Sequence, residues 1–275
     1  MVHDLFVTDT ALYADYVLPA TSQIEHLDLS PAWGHLYLAL NRPAIEPRGE
    51  SVSNTELFRR LAAALGRTEP WLFERDESML RAALSSGHPW LEGITWERLW
   101  NEGHARLNRP DDWRPFANGG FPTPSGKAEL FSAALESQGL DPLPASGAIA
   151  TGSGLQLISG KTLHFMNSGY GHMERHRRRE GPLPIDIHPD DAGRRGLKDG
   201  ELVLVQGERG HLKAVCRISK RVLPGVAWMP YGGLHDASGT RQSVNLLTSE
   251  EPTDWGGGSG LYDAFVEVSA DARAR

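Results

Sequence analysis

The pattern of apolar and polar positions changes character once along the chain. In the first half, Leu57, Phe58, Leu61, Ala62 and Leu65 recur at the spacing that gives a helix one apolar face, with Asn54 as N-cap and Gly66 as the stop. The stretches 76–85 (Leu80, Ala83, Leu84) and 95–107 (Trp96, Leu99, Trp100, Leu107) read as two further helices by the same spacing, their aromatic residues assigned to packing. Leu5–Val7 and Tyr16–Leu18 are short β-favouring runs on either side of a turn, the second ended by Pro19. They predict a strand–turn–strand piece of an α/β sheet. A Gly/Pro-rich loop, 115–132, leads into an expected strand at Ala128–Phe131.

The run 137–154 (SQGLDPLPASGAIATGSG) lacks periodicity and is rich in Gly, Pro and Ser, which is the composition of a linker. After Gly154 the pattern becomes short alternating segments at 155–159, 184–187, 201–206, 211–219, 225–230 and 263–268, and so predicts an all-β domain. Within it, Asp190 to Arg195 predicts a short helix stopped by Gly196, and 201–206 with 211–219 predicts a hairpin around Gly207-Glu-Arg-Gly210. The expected organisation is an α/β segment over 1–136, a linker over 137–154 and a β-domain over 155–268. No repeat at a solenoid or propeller period is present.

Composition narrows the classes. A chain of 275 residues with 40% hydrophobic residues can bury a core, and its net charge of −7 disfavours a dedicated nucleic-acid binder. The first residues carry acids where a secretion signal needs positive charge, and no run approaches the length of a membrane span, so a soluble, cytoplasmic protein is expected. Cys216, the single cysteine, excludes an internal disulfide or a multi-cysteine metal site within this sequence. It sits in the alternating run Leu212, Ala214, Cys216, Ile218 and reads as a buried thiol. No GxSxG elbow, phosphate-binding P-loop or complete GxGxxG is present, which argues against a self-contained hydrolase, kinase or dehydrogenase.

The order LISGKTLHFMNSGYGH, IDIHPDDAGRRGLKDGELVLVQGERGHLKAV, PGVAWMPYGG and VNLLTSEEPTDWGGGSGLYDAFVEV resembles the C-terminal dinucleotide-binding domain of the molybdopterin oxidoreductases, the dimethyl sulfoxide reductase family. TDTALYADYVLPATSQIE, with Thr8, Thr10, Asp15, Pro19, Thr21 and Glu25, then PAIEPRGES and TPSGKAEL, resemble an upstream part of the same family, with turn and cap work as the alternative for Asp15 and Glu25. The resemblance implies a six-stranded double-psi β-barrel behind an α/β remnant. It implies a C-terminal portion of an oxidoreductase that binds bis(molybdopterin guanine dinucleotide) with molybdenum or tungsten. The family's iron–sulfur cysteines and metal ligand have no counterpart here, so the remaining N-terminal part is expected on another chain or lost by truncation, and the isolated chain is expected to be inactive.

Candidate cofactor residues follow from the chemistry that the ligand asks for. A pyrophosphate takes donors and positive charge, and a pterin edge takes a fixed set of donors and acceptors. Lys161, Thr162, His164, Asn167 and Ser168 cluster after the first β-domain strand, and by resemblance this loop touches the pterin. Asn245 matches a pterin-binding Asn and offers donor and acceptor together; Asp254, Gly257 and Tyr262 lie in the last loop before the final strand. The basic run Arg175–Arg179 fits a solvated face, phosphate contacts or a docking surface. His172 and His176 have the helical spacing of a metal pair, without a third ligand at a recognisable distance. Two other functions remain open at this level: a free-standing pterin-dinucleotide binder or carrier, and a cofactor-free β-barrel interaction module.

Overall fold

A computed structural model describes residues 1–143, 152–167, 169–232, 242–253 and 256–271. The chain divides into two compact units, Met1–Ala128 and Glu129–Arg275. The stretch expected as a linker falls in the second unit, and its residues 144–151 lie outside those described.

In the first unit, β1 (Val2–Asp4) and β2 (Val17–Pro19) pair in parallel. The first strand lies earlier than the expected Leu5–Val7 because the Asp4 carboxylate accepts the Phe6 N–H at 3.0 Å and turns the chain out of the strand. Two strands that the apolar pattern did not single out, β3 (Asp28–Pro31) and β4 (Tyr37–Asn41), form an antiparallel sheet. Helix α1 (Asn54–Ala64) starts one residue earlier than expected, since the Ser53 hydroxyl accepts the Glu56 N–H at 3.2 Å and makes the expected cap, Asn54, the first helical residue. Helix α2 (Asp76–Leu84) matches expectation. Helix α3 (Trp96–Glu102) is shorter than the predicted 95–107, because Gly103 at φ 79° caps it and His104–Arg106 continues as β5 on the free edge of β4. Leu38, Leu40, Leu84, Ile94, Trp96, Leu99 and Ala105 form this unit's core. Ala128–Phe131 is not a strand: it lies between the turn closed by the Thr123 hydroxyl on the Lys127 carbonyl and the Ser132 cap of α4 (Ala133–Glu136).

The second unit is built around a closed barrel. Its strands are β6 (Leu155–Gly160), β7 (Pro184–Ile187), β8 (Leu202–Gln206), β9 (His211–Ile218), β10 (Val226–Pro230) and β11 (Ala264–Ala270), with α5 (Glu174–Glu180) before β7 and α6 (Pro189–Arg195) after it. Around the barrel the order is β10, β6, β11, β8, β9, β7. The pairs β6/β10 and β7/β9 are parallel and the others antiparallel. Alternate residues point inward: Leu155 and Leu157, Val203 and Val205, Leu212, Ala214 and Cys216, Val266 and Val268 all lie in one core. Burying each such Leu or Val contributes on the order of 1.5–3 kcal/mol. Closure also satisfies both edges of every strand, which leaves the loops at the two ends as the places where function can be carried.

Register decides which loops share an end. Pro230 lies beside Gly160, so β6 and β10 finish together. Ala264 faces Leu157 and Val266 faces Leu155, so β11 begins where β6 finishes. Gln206 faces Glu267 and Val203 faces Ala270, so β8 also finishes there. The loops after β6, β8 and β10 therefore gather at one end. The other end holds α6 and the turn before β10, pinned by the Asp191 carboxylate, which accepts the Gly225 N–H at 2.7 Å and pairs with Arg194 and Arg195. Burial works to raise the Asp191 pKa, and the Gly225 N–H and the two arginines outweigh it, so the carboxyl titrates below its usual value.

Candidate functional site

The end of the barrel shared by β6, β8 and β10 receives Lys161, Thr162, His164 and Asn167 from the first loop, Asn245 from the third, and Gly257 and Tyr262 from the approach to β11. The register thus brings residues up to about a hundred positions apart in sequence to one end of the barrel. Ser168 and Asp254 lie outside the described residues.

The first loop is held from three sides. Phe165 anchors it in the core. Met166 and Gly169 exchange backbone hydrogen bonds at 3.2 and 2.8 Å, closing a tight turn in which Asn167 takes a left-handed conformation at φ 56°. Gly232, just past β10, lies so close that a methyl group there would sit 2.2 Å from the Asn167 carbonyl oxygen. Only glycine allows this approach. From the far side, Glu180 accepts the His164 N–H at 2.7 Å, His176 Nδ1 donates to the His164 carbonyl at 2.9 Å, and Tyr170 stacks on the His176 ring at 5.1 Å. Thus His176 serves as a strut for the loop.

Within this scaffold the Thr162 hydroxyl is buried and has no hydrogen-bond partner among the described residues. A buried hydroxyl left unpaired costs on the order of 1–3 kcal/mol. Lys161 beside it is exposed. Asn245 lies in a 3-10 turn, Val244–Leu246, between the buried Val244 and Leu247, with its own side chain exposed. The β8–β9 turn supports that segment: Gly207 and Gly210 press against the Leu247 and Leu246 carbonyls, and Arg209 donates to the Thr248 carbonyl at 2.9 Å. Tyr262 is fixed along β6, its carbonyl accepting from Gln156 at 3.1 Å and its hydroxyl reaching the Ser159 carbonyl at 3.5 Å.

Sequence reasoning missed three supports: Gly232, which meets the first loop across the barrel end, Glu180, which holds His164 within the β6–β7 connection, and Arg209, which holds the segment of Asn245. The Gly pair in PYGG was the visible signal for the first of them. The basic run lies on α5, where Arg178 pairs with Glu174 while Arg175 and Arg179 are exposed. Glu25 caps its own turn, accepting the Ser22 N–H and hydroxyl at 2.7 Å each and the Arg48 N–H at 2.9 Å. These bonds, with the Ser22 N–H foremost, hold its pKa below the usual value. The TSQIE and PRGES motifs are therefore joined by cap chemistry. Cys216 is a fully buried thiol whose pKa is pushed up to about 11 by burial, with Asp199, Glu201 and Asp186 adding to it.

A cleft of about 680 Å³ lies in the first unit, lined by Arg81, Trp96 and Glu97 among others. Arg81 there is already paired with Glu77 and Glu97 and stacks on Trp96. The barrel end, in contrast, carries a buried hydroxyl with no partner among the described residues, and on that ground it is the candidate site.

Residues 155–265 match the family model described as the molydopterin dinucleotide binding domain. The chain is 36% identical to the probable oxidoreductase YoaE of Bacillus subtilis over 98% of its own length and 39% of that protein. It is 27% identical to the dimethyl sulfoxide/trimethylamine N-oxide reductase of Rhodobacter capsulatus over 91% of its own length and 35% of that protein. In structure it superposes on acetylene hydratase from Pelobacter acetylenicus with a TM-score of 0.76 at 25% identity, covering 98% of this chain and 40% of that one. The chain thus spans about 40% or less of the length of these relatives. Among the described residues no helix is long and apolar enough to cross a membrane.

Proposed function

Since the chain belongs to the molybdopterin oxidoreductase family, as part of its C-terminal region, we propose that its barrel holds a molybdopterin guanine dinucleotide for an oxidoreductase completed by further polypeptide. The observation that carries the reading is the buried Thr162 hydroxyl, unpartnered among the described residues, in a loop clamped by Gly232, Glu180 and His176. A rigid loop with one unspent donor and acceptor fits a ligand that supplies the missing bond.

The donor set suits a pterin dinucleotide. Lys161 offers positive charge to a pyrophosphate, Thr162 and His164 offer directional hydrogen bonds, and the Asn245 amide and the Asn167 and Tyr262 side chains offer mixed donors and acceptors for a heterocycle edge. Gly257, at φ 61° with open space around it, lets backbone come near a flat ring. Ser168 and Asp254 belong to the same set by sequence. When bound, in the bis form with molybdenum or tungsten, the cofactor supplies a metal that changes oxidation state as substrate gains or loses oxygen or electrons. This chain's residues bind it, orient it and shape the field around it. The metal ligand and the rest of the enclosure come from the remaining N-terminal part, so this chain by itself is inactive.

Thr162→Val tests the reading, because it replaces the hydroxyl by a methyl group of similar size. Removing an unpaired buried hydroxyl leaves the melting temperature of the cofactor-free chain unchanged or higher, whereas pterin retention, read as fluorescence of the acid-oxidised pterin per chain after expression in a host that makes the dinucleotide, falls about tenfold. Equal pterin content in both proteins, or none in the parent, refutes the assignment.

A further inference from the structure

One carboxylate oxygen faces His164 at two of its atoms. The His164 backbone N–H donates to Glu180 Oε1 at 2.7 Å, and His164 Nδ1 lies 3.6 Å from that same oxygen. The His164 carbonyl accepts from His176 Nδ1 at 2.9 Å, and the two imidazole rings meet edge to face with centroids 6.3 Å apart. Tyr170, at φ 69°, an uncommon value for a bulky residue, stacks on the His176 ring. Among the described residues Glu180 and His176, both on α5, are the titratable groups in hydrogen-bond, ion-pair or ring contact with His164.

A neutral imidazole makes no hydrogen bond at 3.6 Å. A protonated one is drawn to the carboxylate, and water screens that attraction only in part, since the His164 and Glu180 side chains are 23% and 14% exposed. His176 responds differently. It already donates from Nδ1, so a proton added at its other nitrogen leaves the bond to the carbonyl in place and sets a like charge beside a protonated His164. His164 is therefore the residue at which a proton changes the contacts, and imidazole is the side chain whose charge changes between pH 5 and 8. We infer that His164 and Glu180 form a proton-operated latch on the ligand loop: one proton on the His164 ring adds an ion pair to the carboxylate that already holds its backbone, and the segment carrying Lys161, Thr162 and Asn167 tightens. Glu180 is thus a positioning residue. Tighter retention of a dinucleotide at pH 6 than at pH 8 rests on the reading of the site given above; the latch itself does not.

Amide exchange of the cofactor-free chain, followed by NMR and corrected for the intrinsic pH dependence of exchange, tests the latch. Protection of the His164 N–H should be roughly threefold to tenfold higher at pH 6 than at pH 8, while the β8–β9 hairpin amides, as control, show no such difference. Glu180→Gln keeps an acceptor for the N–H without the charge, and His164→Gln keeps the backbone bond without a titrating ring, so each should abolish the difference. Equal protection at the two pH values, a difference of the opposite sign, or one that survives either substitution overturns the proposal. A second measurement needs no variant. In the parent chain the His164 amide and ring protons should shift with one common midpoint, and separate midpoints would also overturn it. Because no cofactor is present in either measurement, failure here is distinct from failure of the cofactor reading, which the pterin content of Thr162→Val decides.

Discussion

Replacing Gly232 by alanine tests the approach on which the loop depends. The added methyl would sit 2.2 Å from the Asn167 carbonyl oxygen and 3.1 Å from its carbon, where an ordinary carbon–oxygen contact needs about 3.3 Å, so the loop must retreat by about 1 Å. The backbone at φ 120° is also one that L-residues rarely adopt. Strain in such a region costs about 1–3 kcal/mol and overpacking about 1–3 kcal/mol, for a sum of roughly 2–6 kcal/mol. In a unit of this size, at about 2–4 °C per kcal/mol, that lowers the melting temperature by roughly 4–24 °C. Gly200 is the control: its φ is 77° and nothing lies within 4 Å of the added methyl, so Gly200→Ala carries only the backbone cost of about 1–2 kcal/mol. Thermal unfolding of both variants by circular dichroism separates the two contributions, and pterin content per chain reports whether the displaced loop still binds. A Gly232→Ala protein as stable as Gly200→Ala would refute the contact, and with it the clamp on Asn167.

Asn245→Asp should lower cofactor retention about tenfold to a hundredfold, the equivalent of a lost hydrogen bond of about 1–3 kcal/mol. Because the side chain is exposed, the melting temperature of the cofactor-free protein should not move; pterin content and a melting curve check both. Cys216 should resist a thiol reagent at pH 8 until the chain unfolds, since its pKa is pushed up to about 11. The native state then holds its proton more tightly than the unfolded one, so this contribution is whole below the ordinary thiol range and fades as pH rises towards 11, which Cys216→Ala should remove from an alkaline stability profile. Asp191→Asn should cost about 1.5–3 kcal/mol at neutral pH, the worth of hydrogen bonds to a charged group. Its lowered pKa means that the stabilisation is present above the ordinary Asp range and is lost as pH falls through the native value. Urea titrations should therefore show a flatter acid limb in the variant, and parallel acid limbs would count against the Gly225 contact.

The barrel strands were legible because inward residues such as Leu155 and Leu157, or Val203 and Val205, impose a period of two on every segment, and closure leaves no strand half-paired. The short strands of the first unit were harder. Tyr37–Asn41 and His104–Arg106 are defined by each other's edges more than by their own composition, and Gly103 ends a helix whose apolar pattern runs on to Leu107. At the candidate site, residue types were readable and supports were not. Thr162 and Asn245 stand out as polar residues in loops, whereas Gly232 and Arg209 act across the barrel end, through a register that no local pattern encodes, and Glu180 reaches back sixteen residues to His164 within one connection. Glu25 shows the opposite case, a motif residue whose cap to Ser22 spans three positions and could be read as such from the chain.

The strand order also sets a timetable. Only β8 and β9 are joined by a short turn; β6, the first barrel strand to leave the ribosome, is flanked by β10 and β11, the last two. Pairings between such distant segments form slowly, because the intervening chain must be ordered before any contact rewards it. The β8–β9 hairpin can form early and then waits, while the loop bearing Lys161 and Thr162 has no second wall until β10 arrives and no closed barrel beneath it until β11 does. A ligand at this end therefore finds its seat only after synthesis has passed Ala270.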